Sequence, residues 1–181
     1  MRALRMTLAA ALLVFAATAM AQQDQQPGRK QPGQTTPGQS QKDQQAQRAY
    51  EATKAFAVVN TEMQNARVSA KMLQQISSDR RSYDRQHGEW FVQNIRESLN
   101  QAQTYLNKLR PLATSEDERR QFTEASTSIR NALQMLQPMQ QQLNDPQQVN
   151  QSAGRLQQQI EQGFEPLRQM ASSMNSQIDI G

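Results

Sequence analysis

The most unusual side chains of this sequence fall in one short stretch, residues 79–91. It holds the only histidine and the only tryptophan of the chain, with three arginines and a tyrosine interleaved among them. Guanidinium groups bind phosphate and carboxylate through paired hydrogen bonds, and Tyr and Trp favour surfaces that are partly apolar and partly wet. The stretch therefore predicts a site for an anion or a protein partner, formed by Arg80, Arg81, Arg85, Tyr83 and Trp90.

The same stretch also allows a purely structural interpretation. Three acids, Asp79, Asp84 and Glu89, could pair with the arginines, while Trp90 and Phe91 close the end of a helical bundle. Arginines near a helix start oppose the positive end of its dipole, at a cost of a few tenths of a kcal/mol each. Both interpretations stay open from the sequence.

The single histidine, His87, suggests a haem or metal hypothesis. Small exported four-helix cytochromes hold haem between a Met and a His. In a bundle, His87 would lie at about the height of Met72 on the first helix and of Met135 or Met139 on the third, although it lies off its own apolar seam. A periplasmic haem or copper carrier using His87 with Met72 or Met139 is the alternative function, whereas the main hypothesis has no cofactor and no metal.

Two pairs of methionines have helical i, i+4 spacing, Met135 with Met139 and Met170 with Met174. Thioethers at that spacing could suit Cu(I). In an antiparallel bundle the two pairs would lie at opposite ends, so they could not form one site. We expect them to fill layers of the core, as Met commonly does.

The sequence lacks the residues that most enzyme classes require. It has no cysteine, which excludes thiolate catalysis, disulfides and c-type haem attachment. No cluster of His, Asp and Glu has metal-ligand spacing, and the Glu-x-x-His motif of di-iron bundles is missing. There is no glycine-rich phosphate loop, and no acidic residue lies on the apolar seams described next. We therefore expect a protein that is not an enzyme.

Four segments repeat apolar residues at alternating spacings of three and four, which keeps one apolar seam on a helix. Together they predict an all-α fold, an antiparallel up-down-up-down four-helix bundle spanning residues 46–178, with helices at about 46–77, 81–110, 115–144 and 146–177. The seams are Ala49, Ala52, Phe56, Val59, Met63, Ala66, Ala70 and Leu73; Val92, Ile95, Leu99, Ala102, Leu106 and Leu109; Phe122, Ala125, Ile129, Ala132, Leu136, Met139 and Leu143; and Val149, Ala153, Leu156, Ile160, Gly163, Leu167, Met170 and Met174.

Local signals mark the helix ends. Pro111 closes the second predicted helix, because the residue before a proline is disfavoured in the helical region. Ser115-x-x-Glu118 is a capping box, and Asp145-Pro146 is an N-cap followed by proline at the first helical position. Pro138 and Pro166 fall inside the third and fourth helices, where we expect kinks rather than breaks.

The N-terminal region carries export and linker signals. Arg2 and Arg5, an apolar run and the small-x-small pattern Ala19-Met20-Ala21 predict a signal peptide at residues 1–21. Residues 22–45 are rich in Gln, Pro and Gly and lack aromatic and branched aliphatic side chains, so we expect a disordered linker. The formal net charge is +4 and would fall to +2 without Arg2 and Arg5.

These features predict a periplasmic or secreted protein. We expect a non-enzymatic interaction, scaffold or chaperone-like component of the cell envelope, whose partner is an envelope protein or an anionic envelope polymer. The nearly balanced charge argues against nucleic acid. No segment after the signal peptide is long and apolar enough to span a bilayer, and the chain could be a monomer or a homodimer.

Overall fold

The computed structural model describes residues 37–178, and within that range every regular element is a helix. The predicted signal peptide at 1–21 and residues 22–36 of the predicted linker lie outside the described residues. Five α-helices follow one another, with a single 3-10 turn at Arg110–Leu112. They are α1 (Pro37–Ser78), α2 (Arg85–Leu109), α3 (Glu116–Gln141), α4 (Pro146–Gln162) and α5 (Phe164–Ile178).

The first helix starts earlier than the sequence pattern indicates, because it includes residues 37–45 of the predicted linker. Pro37 occupies the first helical position, where its fixed φ suits the helix and its missing N–H is no loss. The Gln and Lys residues that follow have good helix propensity. The segment carries no apolar seam, so the seam pattern places the start of the helix only at about residue 46.

The four predicted seams form one hydrophobic core. Nearly every seam residue is buried, and Phe56 and Phe122 are partly buried against the same cluster. Helix α1 packs against α2 and α4, and α3 packs against α2, α4 and α5. The heptad spacing thus identifies the core correctly, because it selects one stripe on each helix.

The capping signals are confirmed at two helix starts. At α3, the hydroxyl of Ser115 accepts from the N–H of Glu118 at 3.2 Å, and the Glu118 carboxylate accepts from the N–H of Ser115 at 3.0 Å. At α4, the Asp145 carboxylate accepts from the N–H groups of Gln147 and Gln148, with Pro146 next to it. These bonds satisfy backbone donors that a helix start leaves free.

One acidic residue is buried, although the sequence places none on a seam. Glu118 is completely inaccessible to solvent and lies one helical turn before the seam residue Phe122. Its Oε2 accepts from the N–H groups of Thr114 and Ser115 at 2.8 and 3.0 Å. The carboxylate is tolerated inside because it serves the capping box, and extending the third seam back by one step would have found it.

The fourth predicted helix is divided into α4 and α5 at Gly163. Pro166 has no N–H to donate to the carbonyl of Gln162, and its ring would clash with that carbonyl in a continuous helix. Gly163 also lies close to other helices, because a Cβ there would be 2.8 Å from Cε of Met63. By contrast, α3 continues through Pro138, as expected.

Candidate functional site

The connection between α1 and α2, residues 79–84, is a turn organised by Asp79. Its carboxylate accepts from the N–H of Arg81 at 3.0 Å and from the hydroxyl of Ser82 at 2.7 Å, and its carbonyl accepts from the N–H of Tyr83 at 3.0 Å. The hydrogen bond from Ser82, followed by that from Arg81, lowers the pKa of Asp79 below its ordinary value of 3.8. Asp79 thus stabilises the turn instead of neutralising a neighbouring arginine.

The second acid, Asp84, is the N-cap of α2. Its carboxylate accepts from the N–H of Gln86 at 2.8 Å, and this cap places the start of α2 at Arg85 rather than at the predicted residue 81. The other carboxylate oxygen lies 3.7 Å from Nδ1 of His87, and both side chains are exposed. His87 is therefore a surface residue of the first turn of α2.

The three arginines differ in their surroundings. Arg85 pairs with Glu89 through Nε and Oε1 at 2.8 Å, which cancels its charge locally. Arg80 donates from Nη2 to the amide oxygen of Gln147 at the start of α4, and that contact leaves its charge in place. Arg81 is exposed and has no ion-pair partner within residues 37–178. We call Arg80 and Arg81 the basic end.

The aromatic residues of the stretch also separate into two kinds. Phe91 belongs to the core, whereas Trp90 is 59% exposed and meets Phe91 edge-on, with ring centroids 4.8 Å apart. Tyr83 is partly buried, and its hydroxyl oxygen is buried without a hydrogen-bond partner in the described part of the chain. Burial raises the pKa of that hydroxyl above its ordinary value of 10.0. Tyr83 therefore packs against the core with part of its ring, and its role in binding stays a prediction.

The binding-site interpretation and the structural interpretation of residues 79–91 each agree with some of these contacts. Of the expected ion pairs between acids and arginines, the Arg85–Glu89 pair is present, while Asp79 and Asp84 bond to backbone N–H groups. Of the five residues predicted to bind an anion or a partner, three remain accessible without a charge partner. They are Arg80, Arg81 and Trp90.

The residues of the haem or copper hypothesis lie in different environments. Met139 is in the core, whereas Met72 is 46% exposed on α1 and His87 is exposed on α2. Met170 and Met174 are also core residues, and Met135 packs against the core from its edge. The methionine pairs thus fill the interior as expected, and the haem or copper carrier stays a prediction.

An open groove lies between α1 and α2, and it is not among the sites predicted from the sequence. It is lined from α1 by Glu62, Asn65, Val68 and Ser69 and from α2 by Asn94, Glu97, Ser98 and Gln101. Val68 is exposed although it is a large apolar side chain, as is Met72 one helical turn later. The signal was present in the sequence, since both residues are apolar and off the seam of α1.

Neither a membrane-spanning helix nor a metal-binding cluster occurs among the described residues. Within residues 37–178, no helix is both long enough and apolar enough to cross a membrane. The same residues contain no group of three or more His, Cys, Asp or Glu side chains placed to hold a metal ion. No family model, curated protein or solved structure matches this chain.

Proposed function

We propose that this chain is a non-enzymatic interaction protein of the cell envelope that binds anionic groups through its basic end. The observation that carries the proposal is the exposure of Arg80 and Arg81, neither of which has a carboxylate partner in the described part of the chain. Guanidinium groups favour phosphate or carboxylate, which they can bind through charge-assisted hydrogen bonds.

The architecture proposed for this protein is the antiparallel up-down-up-down four-helix bundle. Hydrogen bonds between α2 and α3 support it, since Arg96 reaches Gln140 at 2.9 Å while the later Gln103 reaches the earlier Ser126 at 3.1 Å. Residues later in α2 thus contact residues earlier in α3, as expected for antiparallel helices. In this arrangement α4 and α5 form the fourth rod, and the basic end lies at the tip where α1 passes to α2.

The rest of the molecule supports binding at a surface rather than chemistry in a pocket. The largest fully buried side chains are apolar, and they include Leu73, Leu99 and Leu156. Three grooves among the described residues are open to solvent, including the one between α1 and α2. A ligand would therefore meet this protein at its outside.

Export is part of the proposal, with the protein acting in the periplasm or outside the cell. The basic region Arg2 to Arg5, the apolar run and Ala19-Met20-Ala21 support it. N-terminal sequencing of the exported protein should give Gln22 as the first residue. A mature protein that begins at Met1 would contradict export by this route.

Sedimentation with defined particles tests anion binding directly. We expect the protein to pellet with vesicles of phosphatidylglycerol and phosphatidylcholine, or with peptidoglycan sacculi, and not with vesicles of phosphatidylcholine alone. Pelleting with the phosphatidylglycerol vesicles would identify a lipid phosphate as the target, and pelleting with the sacculi would identify a cell-wall carboxylate. Binding should weaken as salt rises, because exposed charges are screened. Equal pelleting with neutral vesicles would contradict the proposal.

A further inference from the structure

The exposed large apolar side chains of this protein are concentrated on one face. Among the described residues four such side chains are exposed, and three of them belong to the α1–α2 face. Val68 lines the groove between these helices, Met72 lies one turn after Val68 on α1, and Trp90 lies one turn before the groove residue Asn94 on α2. The fourth is Tyr50, near the other end of α1. We call Val68, Met72 and Trp90 the apolar patch.

Charged residues lie on both sides of the apolar patch along the helix axis. Glu62 on α1 and Glu97 on α2 line the groove on one side, and neither has a basic partner in the part of the chain described. Arg81 lies on the other side, in the turn after α1, with no acidic partner. At 1.5 Å per residue, Glu62 is about 15 Å from Met72, and Ser78, where α1 ends three residues before Arg81, is about 9 Å from Met72 in the opposite direction.

We propose that this face binds a second copy of the same chain, forming a symmetric homodimer whose two-fold axis passes close to Met72. A two-fold axis places each residue opposite the residue at the same distance on the other side of the axis. The apolar patches of the two copies then cover each other. Arg81 of each copy meets Glu62 and Glu97 of the other.

This arrangement is favoured because it places the apolar patch against an apolar patch and arginine against glutamate. Trp and Met are common anchors at the centre of protein interfaces, where water is excluded. Opposite charges at the rim fix the orientation of the two copies, because a parallel alignment would place Arg81 near Arg81 and Glu97 near Glu97. Arg80 is hydrogen-bonded toward α4 and stays outside the contact, whereas Arg81 is available for anions only in the monomer.

Single engineered cysteines provide a direct test, because the chain has no cysteine of its own. We expect Met72→Cys to give a covalent dimer with a short bismaleimide crosslinker at micromolar protein. The control is Asn131→Cys, which is exposed on α3 and should stay monomeric under the same conditions. Equal crosslinking of both variants, or of neither, would overturn the proposed interface.

Charge reversal tests the orientation in a way that does not depend on the anion-binding proposal. In sedimentation analysis, Arg81→Glu alone and Glu97→Arg alone should each raise the dissociation constant of the dimer at least about tenfold, because each places like charges together. Mixing the two variants should recover most of the lost affinity, since their heterodimer again pairs opposite charges at positions 81 and 97, although one glutamate at position 81 still faces Glu62. A wild-type protein that is monomeric at all concentrations, or single variants that dimerise normally, would contradict the inference.

Discussion

The hydroxyl of Tyr83 lies against Gly88, where a Cβ on residue 88 would clash with it. The same Cβ would lie 3.1 Å from Cδ2 of Leu143, a core residue next to the α3–α4 connection. Gly88 is buried in the first turns of α2. The absence of a side chain there allows Tyr83 to fold over the start of α2, which holds the turn carrying the basic end against the core.

Replacing Gly88 with alanine should destabilise the protein by about 1–3 kcal/mol, the usual cost of overpacking. This loss should occur although alanine is the better helix former by about 1 kcal/mol. Gly154→Ala is a matched control, since the group that its Cβ would meet is the flexible amide end of Gln74. Urea unfolding of both variants would measure the difference. A Gly88→Ala protein as stable as Gly154→Ala would contradict the packing described here.

Replacing Tyr83 with phenylalanine should raise stability by about 1 kcal/mol, because it removes a buried hydroxyl that has no hydrogen-bond partner in the described residues. The change should also remove part of the loss of stability that the protein shows at alkaline pH. Burial raises the folded-state pKa of Tyr83 above 10.0, so folding opposes ionisation of the hydroxyl, and the wild type loses additional stability as pH rises from 10 through the folded value, whereas phenylalanine cannot ionise. Thermal unfolding between pH 8 and about 11 would check this, and a less stable variant at neutral pH would contradict it.

The turn should weaken in acid through Asp79. Its folded-state pKa is lowered below 3.8, so its contribution is present above that pH and is lost as pH falls through the folded value. The variant Asp79→Asn should therefore be less stable than the wild type at pH 6, and the difference should shrink as the pH falls below 3.8 through the folded-state pKa of Asp79. Parallel pH profiles of the two proteins test this, and a constant difference down to pH 2 would exclude Asp79 as the source.

The buried cap at α3 should depend on Glu118. Removing this carboxylate leaves the N–H groups of Thr114 and Ser115 without their acceptor, so Glu118→Ala should cost about 1–2 kcal/mol. The control is Glu116→Ala, because Glu116 is exposed in the same first turn and should cost only a few tenths of a kcal/mol. Equal losses in chemical denaturation would show that charge, and not the capping bonds, stabilises this helix start.

The core and most helix ends could be predicted because they depend on local spacing. A heptad seam selects the buried stripe of each helix, and Ser115 with Glu118 or Asp145 with Pro146 forms its contacts within one turn. The break at Gly163 was harder to predict. Pro166 is costly inside a helix but harmless in a first turn, and the sequence does not show which of the two applies.

The candidate site was predictable in its location but not in its details. Trp90 and Phe91 are neighbours in sequence, yet the phase of α2 buries Phe91 and exposes Trp90. Extending the second seam backward by one step reaches Gly88, and Phe91, three residues later, shares that helix face whereas Trp90 does not. Which arginine lacks a carboxylate partner depends on side-chain geometry. Glu89 pairs with Arg85, whereas the Asp79 carboxylate accepts from the N–H of Arg81 and the hydroxyl of Ser82.

The most direct test of the proposed function compares two double variants that lose the same charge. At protein concentrations where the chain is monomeric, Arg80→Gln with Arg81→Gln should weaken binding to phosphatidylglycerol vesicles about thirtyfold, since each arginine near an anionic surface contributes about 1 kcal/mol. Arg130→Gln with Arg155→Gln, on exposed faces of α3 and α4, should bind at least several times more tightly than the first pair. Equal affinities of the two double variants would contradict a role for the basic end.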